Sequence, residues 1–208
     1  MTQEVTSINS QDLFPFIVAD NWYSPEEEKL IWKELDFYYK PGNLEHSAKK
    51  SAIKNGVALS DNWRIYLSDV LNKEHYNISS IMDCRKKFNY EPFKNFVKKS
   101  MPQGIQFNDT NQGSTVISYY DNNQKYDAHH DTTQFTTISW FYKEPRKFTG
   151  GDFWFTQSGV EIKCKHNRMI FFPSYYLHKV TPVLMNHQDR DQGLGRFSIT
   201  NFFWNHQS

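Results

Sequence analysis

Beyond Pro102 the spacing of apolar residues shortens from near four to two, and this change of period limits the chain to few architectures. Segments 115–120, 126–131, 135–142, 152–156, 160–163, 168–172, 178–183 and 196–204 each read as a short strand. Turn signals at Asp121-Asn122-Asn123, Gly150-Gly151, Gln157-Ser158-Gly159, Pro173-Ser174 and Gly193-Leu194-Gly195 separate them. Eight short strands at this spacing predict a jelly roll or small barrel.

The first half reads differently. Residues 1–12 are polar and predict a frayed end, and residues 13–18 predict a first strand. Ser24 followed by Pro25 and Glu27 is a helix start with capping-box spacing, and Ile31, Trp32, Leu35 and Tyr38 give that helix an apolar face ending before Pro41-Gly42. Residues 43–61 are rich in Lys, Ser and Asn and predict a loop or lid on the substrate side. Residues 63–88 predict two helical pieces broken at Asn77-Ile78-Ser79, and residues 92–99 a short helix with Phe93, Phe96 and Val97 inward. The expected organisation is a single domain over residues 1–208: helical support at about 13–100 packed on a β core at about 103–205.

Of the 208 residues 38% are hydrophobic, enough for a substantial core. The 24 basic residues nearly cancel the 23 acidic ones, so no global field favours nucleic acid or an anionic membrane. Cys84 and Cys164 make neither a disulfide framework nor a zinc site, and they fit a reducing cytoplasm. The first residues lack an apolar leader core, and no apolar run approaches the roughly 20 residues needed to span a bilayer. A cytoplasmic protein with no membrane or nucleic-acid partner is expected; the oligomeric state is left open.

Within the strands one pattern carries chemistry. In a strand, residues i and i+2 share a face, so His129 and Asp131 point together while His130 turns away. His178 on a returning strand would complete a 2-His-1-carboxylate face on a metal, the arrangement of non-heme Fe(II) oxygenases. Arg196, Ser198 and Thr200 alternate on one polar face of an otherwise apolar strand. A buried Arg needs an anion, and its planar fork matches a carboxylate. An acid chelating the metal at one end would reach Arg196 with its other carboxylate, which describes a dicarboxylic 2-oxo acid.

Over residues 115–204 the chain resembles the Fe(II)- and 2-oxoglutarate-dependent dioxygenases, within them the prolyl 4-hydroxylase-like branch. The resemblance rests on Tyr120-x5-Tyr126-x2-His129-x-Asp131, Gly150-Gly151-Asp152-x-Trp154, Phe172-Pro173-Ser174, His178-x-Val180-x-Pro182-Val183 and Gly195-Arg196-x-Ser198. It implies a double-stranded β-helix, cupin-like fold and iron ligands His129, Asp131 and His178. It implies that 2-oxoglutarate meets Arg196, Tyr120, Thr137 and Ser198, with O2 as the other cosubstrate and ascorbate as an accessory. Collagen-type prolyl hydroxylases carry Lys where this chain has Arg196, so a different sub-branch is indicated, and the link 184–195 is longer than usual.

The activity so implied is hydroxylation of an unactivated C–H, first of a prolyl residue in a peptide or protein, with release of succinate and CO2. Alternatives are hydroxylation of a free amino acid or small metabolite, nucleic-acid demethylation within the same superfamily, and a non-catalytic cupin-like metal-binding module. The demethylases' Arg-x5-Arg is missing, because Phe202 stands where the second Arg would fall.

Overall fold

The computed structural model describes residues 5–8, 14–71 and 73–206. Strand β1 (Val5–Ile8) pairs antiparallel with β2 (Phe16–Ala19), so part of the expected frayed end is a strand. The rest of that end, and residue 13 of the expected first strand, lie outside the described residues. Helix α1 (Pro25–Tyr39) starts as its sequence dictates. The Glu27 amide donates to the Ser24 hydroxyl at 3.2 Å, and the Ser24 amide donates to the Glu27 carboxylate at 2.8 Å. Such a cap is worth about 1 kcal/mol. Ile31, Leu35 and Tyr38 form its buried stripe.

The segment expected as a loop is a series of short strands: β3 (Glu45–His46), β4 (Ile53–Lys54), β5 (Val57–Ala58) and β6 (Ser60–Asp61). Asn55 and Gly56 both hold positive φ between β4 and β5, the two-residue hairpin turn that Asn-Gly favours. Residues 63–66, expected to open a helix, form β7 (Trp63–Tyr66) instead. The short helices α2 (Leu67–Val70), α3 (Ser80–Arg85), α4 (Glu91–Ser100) and α5 (Gly104–Phe107) follow, with the expected break at Ser79, which caps α3. No described helix is long and apolar enough to cross a membrane.

The second half supplies β8 (Gln112–Tyr120), β9 (Lys125–His129), β10 (Phe135–Phe141), β11 (Phe148–Gly150), β12 (Phe153–Phe155) and β13 (Val160–Ile162). It ends with β14 (Met169–Pro173), β15 (His178–Val180), β16 (Val183–Met185) and β17 (Arg196–Trp204). The expected strand 178–183 is thus two strands, interrupted at Thr181-Pro182, where Pro182 lacks an amide to donate. The main sheet runs β1-β2-β14-β10-β17-β8-β7-β3, and a facing sheet runs β13-β12-β15-β9-β6. The architecture is the mostly antiparallel double-stranded β-helix with supporting helices.

Alternation along the main sheet builds two cores at once. Phe135, Phe171, Phe197, Ile199 and Phe203 point to the helices and meet Ile31, Leu35, Phe88 and Phe107. Ile138, Trp140, Ile170 and Phe172 point to the facing sheet and meet Phe153, Phe155 and Val180. A one-residue slip of β17 would exchange its Phe face for its polar face, so burial on both sides fixes the register. Cys84 and Cys164 are unbridged and fall in different cores.

Candidate active site

Between the two sheets lies a cavity of about 420 Å³. His129 and His178 face each other across the β9–β15 pair, where they are register partners. Their rings tilt against one another with centroids 4.3 Å apart. Asp131 completes the group: its carboxylate oxygens stand 3.6 Å from Nε2 of each His, and one ligand atom from each of the three residues falls within a 4.8 Å cluster. Two alternating neighbours in one strand do not produce this. β9 ends at His129, and Asp131 lies on the turn beyond it. The Asp131 amide donates to the Ser174 carbonyl at 3.1 Å, and the Thr136 hydroxyl donates to the Asp131 carboxylate at 2.7 Å.

The Thr136 hydroxyl hydrogen is thereby used, so Ser174 Oγ at 2.8 Å must donate to Thr136, and Thr133 at 2.9 Å must donate to Ser174. Three hydroxyls point one way, towards the carboxylate. Each imidazole is fixed at its other nitrogen: Nδ1–H of His129 donates to the Asp127 carbonyl at 2.8 Å, and Nδ1–H of His178 to the Tyr176 carbonyl at 2.7 Å. That tautomer leaves both Nε2 lone pairs aimed at the gap. Burial pushes His129 down to about 4, and the neighbouring His178 adds to the effect. Burial likewise pushes His178 down to about 4, against the bond to the Tyr176 carbonyl. Both rings are therefore neutral near pH 7, the form that binds a metal. Burial raises Asp131, which the His neighbours and Thr136 oppose. His130 turns out of the cluster and meets the Tyr175 carbonyl at 2.7 Å.

On the opposite wall Arg196, Ser198 and Thr200 line the cavity from one face of β17, as their alternation predicts. Arg196 is 1% exposed, and its Nε and Nη1 have no hydrogen-bond partner. Its guanidinium lies over the Tyr120 ring at 4.7 Å and beside Trp140 at 5.7 Å. A Cβ on Gly151 would stand 2.8 Å from Arg196 Cδ, so the glycine makes room for that stem. Gly151 and Gly150 hold φ of +67° and +70°, the left-handed backbone that glycine tolerates. The long link 184–195 is anchored from below. Asp121 accepts from Tyr119 at 2.8 Å and from the Asp191 amide at 3.1 Å, and Tyr119 accepts from the Gly195 amide just before Arg196.

Thr137 is elsewhere. Alternation in β10 sends Thr136 and Ile138 to the cavity side and Thr137 to the far face, where it is wholly buried and accepts from Asn201 at 3.0 Å. The correction is one residue, Thr136 for Thr137, and the role is holding Asp131. Sequence reading also missed Arg64 and Tyr66, which line the cavity from β7 because that segment is a strand. Tyr126 stacks on His129 with centroids 3.5 Å apart and an 8° angle.

The donor set fits a ferrous ion: two neutral imidazoles and one carboxylate converge, with no thiolate among them. Unpaired, buried Arg196 nitrogens fit the distal carboxylate of a 2-oxo diacid. Residues 115–204, the β core, match the family model of the 2OG-Fe(II) oxygenase superfamily. That family implies Fe(II), 2-oxoglutarate and O2. Among curated proteins none matches the chain in sequence. Solved structures share its fold. A Pseudomonas putida prolyl-4-hydroxylase is 14% identical with a TM-score of 0.58, covering 92% of this chain and 93% of its own. A Trichoplax adhaerens prolyl hydroxylase, solved with a peptide fragment of the hypoxia inducible factor oxygen degradation domain, is 11% identical with a TM-score of 0.62 over 91% and 83%. A Burkholderia pseudomallei oxidoreductase of the 2OG-Fe(II) oxygenase family is 13% identical with a TM-score of 0.60 over 93% and 86%.

Proposed function

We propose that this chain is an Fe(II)- and 2-oxoglutarate-dependent dioxygenase that hydroxylates an unactivated C–H, first of all in a prolyl residue of a peptide or protein, and releases succinate and CO2. One observation carries the reading: the His129, Asp131 and His178 cluster and Arg196, whose Nε and Nη1 are unpaired, line the same cavity. His129, Asp131 and His178 would hold the iron, and Arg196 with Tyr120 and Ser198 would hold 2-oxoglutarate. When bound, the iron supplies O2 activation coupled to oxidative decarboxylation of the 2-oxo acid.

The chain's own residues bind, orient and keep the site dry. Neutral His129 and His178 present lone pairs, while the hydroxyl series from Thr133 to Thr136 fixes Asp131. Arg196, stacked on Tyr120 in a low-dielectric wall, binds a carboxylate more strongly than the same residue in water. Ile138, Phe153 and Val180 limit water near the cluster. We place the protein in the cytoplasm as one functional unit, a reading that the free thiols and the inclusion of β1 and β2 in the main sheet support.

The test is anaerobic addition of Fe(II) and 2-oxoglutarate, which should give a weak visible charge-transfer band. His178→Ala should abolish the band, and the wild type with ascorbate and Pro-rich peptides should release succinate. Absence of the band from the wild type, or its persistence in the variant, refutes the ligand assignment.

A further inference from the structure

We infer that the oxidised substrate carries a carboxylate and that Arg64, on the same sheet as Arg196 but two strands away, holds it. The inference rests on the oxygenase reading above and names the substrate class for it. Arg64 is 6% exposed and lines the cavity from β7. Its Nε donates to Asn62 Oδ1 at 3.1 Å, its Nη1 to the Tyr66 hydroxyl at 3.5 Å, and its Nη2 to Ser60 Oγ. All three acceptors are neutral. Among the described residues no carboxylate lies within ion-pair distance of it, since the adjacent Asp61 turns outward to His46 at 2.9 Å. A buried guanidinium with no carboxylate in direct contact is costly, and the Asp131 charge acts on Arg64 only from a distance, so an anion that docks there removes a penalty the free protein carries. The Nη1 bond sits at the distance limit, which leaves that arm the least committed of the three.

Position ties this cation to the reacting centre. The Arg64 guanidinium lies 5.5 Å from the Tyr126 ring centroid, and Tyr126 stacks on His129 at 3.5 Å. One aromatic ring, that of Tyr126, thus stands between the Arg64 guanidinium and a proposed iron ligand, which puts an anion held by Arg64 in the same part of the cavity as the reacting centre. Arg196 is a separate station. Arg64 pairs with Ser118 and Ser118 with Ser198, so the two arginines stand two strands and two residues apart. With ordinary sheet spacings that puts their Cα atoms about 12 Å apart. The cavity thus offers one guanidinium for the diacid and one for a second anion.

A mid-chain prolyl residue with neutral neighbours would leave Arg64 unanswered, whereas a free amino acid or the last residue of a peptide would bring its α-carboxylate. The test measures succinate release by the Fe(II)-loaded enzyme with four probe pools: free L-amino acids, the same amino acids as amides, Pro-containing peptides with free C-termini, and those peptides amidated. The expected result is stimulation by a carboxylate pool that its amide partner loses, and the responding pool tells the free acid from the chain terminus. Arg64→Gln should lower kcat/KM for the active carboxylate probe by at least about 30-fold. The 2-oxoglutarate dependence of the charge-transfer band should stay within about twofold, and Arg64→Lys should recover part of the loss. Equal response to amides, no response to any carboxylate, or unchanged discrimination in Arg64→Gln overturns the inference while the band persists. Loss of the band in the wild type overturns the parent reading as well.

Discussion

Thr136→Val tests the hydroxyl series behind Asp131. Valine keeps the branched shape and the β-strand preference of threonine, so the wholly buried site in β10 retains its packing and loses only the hydroxyl. Two bonds disappear: the 2.7 Å donation to Asp131 and the 2.8 Å acceptance from Ser174. A hydrogen bond to a charged group contributes about 1.5–3 kcal/mol. Expressed as metal affinity, a lost outer partner of a ligand costs about 10–100-fold, or about 1.4–2.7 kcal/mol, so the two estimates agree. Anaerobic Fe(II) titration of the metal-free protein should therefore give a dissociation constant raised by that factor. Ser174→Ala, one hydroxyl further back, should show a smaller rise. A Thr136→Val constant within twofold of the wild type would show that Asp131 is held by its backbone bond to Ser174 alone, and the reasoning would be wrong.

Two further perturbations probe other parts. Gly151→Ala places a Cβ 2.8 Å from Arg196 Cδ and 3.1 Å from Val183 at a φ of +67°. It should raise the 2-oxoglutarate KM about tenfold beside a backbone cost of about 1–2 kcal/mol, whereas Gly159→Ala, at φ +70° with open space around it, should show the stability loss alone. Asp20, held down to about 2 by Arg168 first and Lys165 next, is depressed on folding, so its contribution is present above its ordinary value of 3.8 and is lost as pH falls towards 2. Allowing for solvent screening, Asp20→Asn should cost about 1 kcal/mol in urea unfolding at pH 7, a difference that shrinks through that acid window.

What the sequence made legible is what short-range physics decides. The capping box at Ser24 and Glu27, the alternation of Arg196, Ser198 and Thr200, and the break at Ser79 each depend on neighbours within a few residues, and each is found in the structure. Trp63–Tyr66 was not legible, because Ile65, Leu67, Val70 and Leu71 also fit a helical stripe; pairing with β8, some fifty positions away, makes it a strand. Phe135-Thr136-Thr137-Ile138 shows the same limit on a finer scale. Two adjacent threonines cannot face the same way, and only the register of β10 against β14 and β17 says which one reaches Asp131. The His129 and Asp131 pairing was anticipated for the wrong reason: strand alternation does not carry past His129, and contacts from Ser174 and Thr136 bring the carboxylate back.

Charge balance connects the two arginines to the chemistry. Among the described residues the cavity walls carry two guanidinium groups, Arg64 and Arg196, against one carboxylate, Asp131, while burial keeps both imidazoles neutral. These walls thus carry a single positive excess. A ferrous ion raises it by two, and the 2-oxoglutarate dianion removes the same two, leaving one positive charge in a low-dielectric pocket. A neutral substrate would be enclosed together with that charge, at a cost that grows as water is excluded. A substrate whose one charge inside the pocket is a carboxylate, such as the last residue of a peptide, would bring the closed site to neutrality, whereas the zwitterion of a free amino acid would have to leave its ammonium group outside the pocket. The geometry supports the same conclusion, because among the described residues that line the cavity the buried guanidinium left after the diacid is placed is Arg64, 5.5 Å from the ring of Tyr126, which stacks on His129.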